Sequence, residues 1–346
     1  MNKLFVLSKI GVLAALFAIV FSSCENSAIF DGEGDCEVQY RVKFKYDRNM
    51  KFVDAFSREV TSVTLYAFNK DGILEYHSIE SGEALASEEY YMPVDIQPGN
   101  YEILAWCGVG NGESFTVSRA EVGVTTKDEI VCQMNTRQEN DVKVVSDDLK
   151  PLYHGKMSLD VGEEPGTYYQ TMSLTKNTNV VRILLQQLSG KDVDADMLSF
   201  EIQDHNSVMA HDNSLIGDDL VVYKPWNITS GNADIDAGAY NTIDSRAGTS
   251  VGVVVAEMTV GRLLENARPV LVVRNLQENK VVLSIPLVDY ALLVKGNYNK
   301  AMSNQEYLDR QDEYSMTFFL DESGDWISSS IIVNSWRIVL NNETIN

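Results

Sequence analysis

The sequence predicts an all-β protein of two antiparallel β-sandwich domains in series, and three observations predict it. Apolar or alternating runs long enough for a strand recur at spacings of about 8 to 12 residues. They form two sets on either side of a Gly- and Pro-containing stretch, GEEPG at 162–166. One segment alone, in the second set, carries the start and stop signals of a helix. Size agrees: 346 residues against a usual domain of about 150 make two domains. With 45% hydrophobic residues there is enough apolar side chain for two cores, which excludes a disordered chain.

In chain order the first element is an export signal. Lys3 and Lys9 give a positive start, and from Ile10 to Phe21 the chain carries no charge. That run suits a signal-peptide core but falls short of the roughly 18 to 20 residues that span a bilayer. It stops at Ser22-Ser23-Cys24. Small residues ahead of a cysteine, directly after such a run, resemble the bacterial lipobox, with Phe21 where a Leu is usual. The expectation is a signal peptide over 1–23 and a lipidated tether over 24–36, with Cys24 acylated and the protein held in the cell outer membrane. Each buried methylene of the acyl chains contributes about 0.8 kcal/mol to that hold. A soluble exported protein with an incidental Cys24, or an uncleaved membrane helix, are the competing readings.

The formal net charge is -22, and since the signal holds two of the 28 basic residues and none of the 50 acidic ones, the mature chain carries -24. Such a chain repels nucleic-acid phosphates and anionic headgroups, so neither is an expected partner. Past Cys24 only Cys36, Cys107 and Cys132 remain. An odd number without close pairing excludes a disulfide scaffold and a CxxC zinc site. One bridge at most can form, with Cys107 and Cys132 the pair to test; three buried free thiols are the favoured state.

The N-terminal domain is expected over 37–165. In EVQYRVKFKY, Val38, Tyr40, Val42, Phe44 and Tyr46 alternate with polar residues, the period of a half-buried strand. Val60 to Phe68, the turn Asn69 to Gly72 and Ile73 to His77 read as a hairpin. Pro98-Gly99-Asn100 turns into YEILAWCGV, and Val117, Val122, Val124, Ile130 and Val131 mark shorter strands. The C-terminal domain is expected over 166–346. TMSLTKNTNVVRILLQQL holds two strand-like runs, although LLQQL also reads as one turn of helix. Strands follow at Leu198 to Gln203, Leu220 to Tyr223, Val251 to Val260, Val270 to Arg274 and Val281 to Ile285, the last two joined by NLQEN. The one helix is Pro286 to Lys295, with proline in its first turn and Gly296 as its stop. Tyr314 to Leu320 and Ile331 to Leu340 close the chain as strands.

Several stretches, in order, resemble the FimB-like fimbrial anchor lipoproteins of Bacteroidetes. They are the lipobox at Cys24, PGNYEILAWCG at 98–108, LYHG at 152–155, LTKNTN at 174–179, FEIQDHN at 200–206 with DNSLI and VYKPW after it, QEYLDRQDEYSMTFFL at 305–320 and IVNSWRIVLNN at 332–342. The resemblance implies two transthyretin-like sandwiches, no catalysis, and attachment or regulation of fimbriae at the outer membrane. The partners it implies are a fimbrial stalk subunit and, through acyl chains on Cys24, the membrane itself. Stalk and tip subunits of the same system share the fold.

Chemistry sought separately is sparse. The sequence holds no glycine-rich phosphate loop, no HExxH and no GxGxxG, and no enzyme, cofactor, metal or small-molecule substrate is expected. His205 and His211, flanked by Asp204 and Asp212, are spaced too widely for a usual zinc pair. Asp192, Asp194 and Asp196 have calcium-like spacing, yet Met197 stands where an EF-hand needs glycine. Trp106 and Trp336 lie inside strand patterns and are expected in the core. Trp226 and Trp326 follow loop residues and are candidates for stacking on a glycan. In the terminal run, Ile332, Trp336, Ile338 and Leu340 share one face. That run is either a strand donated to a neighbouring subunit or part of the second domain's core, and the core reading is preferred because a bare apolar strip invites aggregation.

Overall fold

The computed structural model describes residues 38–189, 191–235, 249–296 and 299–339. Cys24, Cys36 and the expected signal peptide and tether lie outside the described residues. The chain divides into two compact units. The smaller comprises Met1–Gln39 and Glu163–Tyr168, and within it the Tyr168 hydroxyl donates to the Glu164 carbonyl at 3.2 Å. The larger comprises Tyr40–Gly162 and Tyr169–Asn346 and contains the apolar core.

The first half of the chain forms β1 (Val38–Lys45), β2 (Ser62–Asn69), β3 (Leu74–Ser81), β4 (Met92–Val94), β5 (Gly99–Cys107), β6 (Phe115–Val117), β7 (Val131–Met134), β8 (Arg137–Glu139), β9 (Val142–Val145), β10 (Tyr153–Val161) and β11 (Gly166–Lys176). The second forms β12 (Thr178–Gln187), β13 (Leu198–Asp204), β14 (Val208–Ala210), β15 (Val221–Tyr223), β16 (Asn227–Ile235), β17 (Thr249–Gly261), β18 (Val270–Asn275), β19 (Lys280–Pro286), β20 (Glu313–Leu320), β21 (Trp326–Val333) and β22 (Trp336–Val339). Among the described residues the α-helices are short: α1 (Phe56–Glu59), α2 (Leu287–Leu292) and α3 (Asn304–Arg310).

The all-β expectation stands. The strands assemble as a seven-stranded sheet β3-β2-β5-β10-β11-β1-β4, two six-stranded sheets β16-β17-β12-β20-β21-β22 and β19-β18-β13-β15-β9-β8, and a three-stranded sheet β14-β7-β6. Two pairings, β12 with β20 and β15 with β9, are parallel, so the two six-stranded sheets are mixed. β1 is alternately buried, as its period requires, at Tyr40, Val42 and Phe44. β2 is buried on both faces. One face carries the fully buried Val63 and Leu65; the other, with Tyr66 and Phe68, joins Trp106 in a core continuous with Val181, Val254 and Phe318 of the second half.

The expected domain boundary at 165/166 falls at a reversal between two paired strands. GEEPG is the reversal between β10 and β11, which pair antiparallel from Tyr153 opposite Lys176 to Gly155 opposite Leu174. Glycine and proline mark a tight reversal as well as a linker, and sequence alone does not separate the two. β8 and β9, from the first half, belong to a sheet of the second. The chain instead passes from one large sheet to another at Asn177, between β11 and β12, fully buried.

Other differences are local. LLQQL is strand, not helix. Val122 and Val124 lie in a turn and are exposed, because residues 121–127 hydrogen-bond along the start of β3 and not within a strand of their own. The expected helix is α2, with Pro286 as its N-cap, but it has company. α3 starts at Ser303, whose hydroxyl accepts from Glu306 N at 3.0 Å, the Ser-x-x-Glu signature of a helix start. The terminal run is two strands: Asn334 and Ser335, at φ 46° and 70°, make the two-residue turn of a hairpin.

Candidate functional site

A sheet edge is a row of unpaired N–H and C=O groups, a place where another chain can add a strand. In the seven-stranded sheet both edges are blunted. β4 is three residues long with Pro93, which has no N–H, at its centre. The start of β3 is covered by backbone bonds from Gly123 N to Leu74 O at 2.7 Å and from Leu74 N to Thr125 O at 2.9 Å. The sheet also curls until its edges meet: the Tyr76 hydroxyl on β3 donates to the Pro93 carbonyl on β4 at 3.1 Å. Elsewhere the edge strands β6, β8 and β14 have three residues each, β22 has four, and β19 begins at Lys280 and ends at Pro286. Only β16, with nine residues, is a long edge without such devices among the described residues.

The C-terminal hairpin is held in the chain's own sheet. β21 pairs with β20 from Met316 opposite Val333, and Ile331 and Val333 are fully buried. The turn is docked twice, since Asn334 N donates to Ser315 O and Ser315 N to Asn334 Oδ1, both at 2.8 Å. β22 completes the edge, with Val333 opposite Trp336 and Ser330 opposite Val339. The side chains of Trp336 and Ile338, and all of Leu340, lie outside what is described.

Around Asn177 a polar network joins the sheets. The side chains of Asn177 and Asn213 exchange hydrogen bonds of 2.6 and 3.1 Å. Arg262 makes two 2.8 Å bonds to Asp309 on α3 and a third, of 3.0 Å, to Asn213 O. One residue from the crossing, Lys176 on β11 reaches Asp312 at 2.7 Å and Glu59 at 3.3 Å. Burial pulls the Lys176 ammonium down, but the two carboxylates outweigh it and hold it above its ordinary value. His154, packed edge-on to Trp106 at 4.7 Å, is pushed down to about 4, chiefly by burial. It is therefore neutral at pH 7, and its Nε2 carries the proton donated to His211 O at 2.9 Å. Nothing in the spacing of the sequence announces this network; its members are drawn from separate stretches of chain between Glu59 and Asp312.

The residues singled out in the sequence do not converge. Cys107 and Cys132 are free, buried thiols rather than a bridge, and burial raises both well above the usual thiol range. Cys107 lies on β5, opposite Val63 and Tyr153; Cys132 lies on β7, opposite Met209 and Val117. Trp226 is 37% exposed, as a sugar platform needs, but Trp326 packs edge-on against Phe318 at 5.6 Å with its indole N–H buried. Trp226 N bonds Glu257 O, level with Arg182 on β12, whereas Trp326 lies opposite Leu320, level with Gln187. Five residues along and four strands across, the two indoles are on the order of 25 Å apart and form no common platform. His205 accompanies Asp218 while His211 lies between Asp128 and Glu102, so the two histidines have separate surroundings. Asp194 caps the turn at Ala195–Met197 through Asp196 N. One string with the letters of a nucleophile elbow, GTSVG at 248–252, does occur, but 249–252 run within β17, not at a strand-to-helix turn.

Comparison with known proteins follows the fold. The family model described as fimbrillin-A associated anchor proteins Mfa1 and Mfa2 matches residues 33–342. The minor fimbrium anchoring subunit Mfa2 of Porphyromonas gingivalis is 27% identical over 114 residues, which is 33% of this chain and 34% of that protein, about a third of its length. Among solved structures, a candidate adhesin from Bacteroides thetaiotaomicron superposes with a TM-score of 0.78 and 29% identity, over 89% of this chain and all of the other. A candidate polysaccharide-binding protein of the same organism gives 0.74 and 30%, over 89% of this chain and 99% of its own.

Proposed function

The chain belongs to the family of fimbrillin-A associated anchor proteins, and from that premise we propose that it is a lipid-anchored outer-membrane subunit that attaches a fimbria and limits its growth. In this reading Cys24 carries the acyl chains, residues 25–36 tether the folded body, and the body meets the stalk subunit by strand-mediated contact. The observation that carries the reading is the family match, which starts nine residues after Cys24 and takes in almost all that follows. Two acyl chains at one terminus suffice for stable anchoring, where a single chain is marginal. Growth limitation is supported by the terminal hairpin: a strand hydrogen-bonded at the edge of its own sheet is not held in reserve for a neighbour.

The test is Cys24→Ala in the producing bacterium. The protein should leave the outer-membrane fraction for the periplasm or medium with its melting temperature unchanged, and fimbriae should be shed. Unaltered membrane fractionation of the variant would sink the proposal.

A second reading, glycan binding at the surface, rests on the exposed Trp226 and on the solved relative described as a candidate polysaccharide-binding protein. A glycan array probed with the mature chain and with Trp226→Ala decides it. Signal lost on the substitution favours this reading, and an array silent for both proteins ends it.

A further inference from the structure

The long edge at β16 has room for another strand. It pairs with β17 from Asn227 opposite Glu257 to Ile235 opposite Thr249, and no strand lies on its other side among the described residues. Its sequence, NITSGNADI, contains no lysine and no proline, the residues that most often guard an edge. Ile228 is 40% exposed, and Thr229, Ser230 and Asn232 are exposed. A Cβ added at Gly231 would meet nothing within 4 Å. Ile228 and Ser230 stand opposite Ala256 and Val254, which are fully buried. The inner surface of the sheet therefore continues past its last covered strand, and one more strand would extend that cover.

Charge says what kind of strand fits. The turn at Ala195–Met197 packs against β16, and it carries two exposed acids, Asp196 within it and Asp194 as its cap. We propose that the outer edge of β16 accepts an extended strand from a partner chain, uncharged along its length and basic where it passes this acidic turn. Backbone hydrogen bonds would supply the affinity, and alternate side chains would lie beside Ile228 and Ser230. A second copy of the protein fits poorly, because each copy brings its own acidic turn and a charge of -24 to the contact. The proposal takes from the fimbrial reading only that the partner is a different chain.

The test uses hydrogen exchange on the mature chain with a synthetic probe: nine alternating valines and threonines bearing two lysines at one end, beside the same peptide with two glutamates. The lysine peptide should slow exchange in β16 by about tenfold or more, lose the effect in 0.5 M salt as screening shortens its reach, and outbind the glutamate peptide. Thr229→Pro and Ser230→Pro are the controls. Neighbouring residues point their N–H groups to opposite sides of a strand, so one of the two leaves the ladder to β17 intact; that variant should melt normally and no longer bind. Outward-facing amides of β16 that are already slow in the chain alone, equal protection by both peptides, or no protection by either would overturn the proposal. So would protection that rises with protein concentration alone, which would assign the edge to a second copy. The peptide arms need no fimbria, so they stand or fall separately from the result of Cys24→Ala.

Discussion

The seven-stranded sheet and the sheet that runs from β16 to β22 start from similar material and end differently. Both are built from strands of mostly eight to eleven residues, and both contribute to one continuous core. The first has its edges brought together by a single hydrogen bond between Tyr76 and Pro93 and the start of its long edge strand covered by 121–127. The second ends on a four-residue strand at one side and leaves nine residues of β16 bare at the other, among the described residues. The lesson is that strand content does not decide whether a sheet can take a partner; the residues that cover or bend its last strand do.

The largest effect should come from shortening the closed side of the second sheet. Deleting 330–346 removes the buried Ile331 and Val333 and the whole of β22. Each large aliphatic truncation in a core costs about 2 to 5 kcal/mol against a total stability of about 5 to 15. Thermal unfolding should lose its cooperative transition; a truncated chain that melts as before would mean that the hairpin adds nothing to the core.

Next comes the joint between the sheets. Arg262 and Asp309 are mostly buried, at 14% and 11% exposure. Arg262→Met strands a buried carboxylate and should cost about 3 to 5 kcal/mol by denaturant titration, while Arg262→Met with Asp309→Leu should recover much of it. A double variant no better than the single would show that the joint depends on shape and not on charge.

A smaller effect separates the sheets by pH. The Asp204 carboxyl on β13 has one buried oxygen without a partner, and burial raises it to about 6 from 3.8. The folded state thus binds that proton more tightly than the unfolded one. Its contribution is full below pH 3.8 and is lost as pH rises to about 6. His154 on β10 does the reverse: lowered from 6.5 to about 4, it contributes fully above pH 6.5 and its contribution is lost as pH falls to about 4. The two slopes oppose each other over nearly one window, so stability should be almost flat there. Asp204→Asn should gain about 2 to 3 kcal/mol at pH 7 and expose the His154 slope, with stability rising from pH 4 to 6.5. A variant as flat as the parent would show that neither group titrates as placed.

The smallest effect should be Tyr76→Phe, which removes one hydrogen bond between partly exposed groups, worth about 0.5 to 1 kcal/mol. Its value lies in exchange rates: amides of β3 and β4 should speed up while those of β16 stay as they were. If β3 and β4 are unaffected, the covering segment 121–127 and not the tyrosine closes the first sheet.

Much of this was legible in the chain. The alternation through Tyr40, Val42 and Phe44 located β1, Asn69 to Gly72 located a hairpin, and Pro286 with Gly296 bracketed α2, because period and turn chemistry act over a few residues. The terminal run has the apolar pattern of a single strand, yet Asn334-Ser335 is a turn, and α3 has too short a periodic run to stand out, yet Ser303 and Glu306 spell its start. Both signals were local and present. The candidate site was far less visible: Cys107 with Cys132 and Trp226 with Trp326 were plausible by type, and only three-dimensional placement separates the members of each pair.

By itself the sequence determined where the clearly alternating strands such as β1 lie, which face of them is apolar, and a large excess of acid over base. Those properties follow from side-chain period and summed charge, which need no knowledge of distant residues. Only the tertiary structure decided that GEEPG turns a hairpin while Asn177 crosses between sheets, that β8 and β9 join strands of the other half, and that Tyr76 closes one sheet while β16 is left open. Each of these depends on which backbone groups from remote parts of the chain come to lie beside each other, and a hydrogen-bond ladder is the same for every sequence that can extend into it.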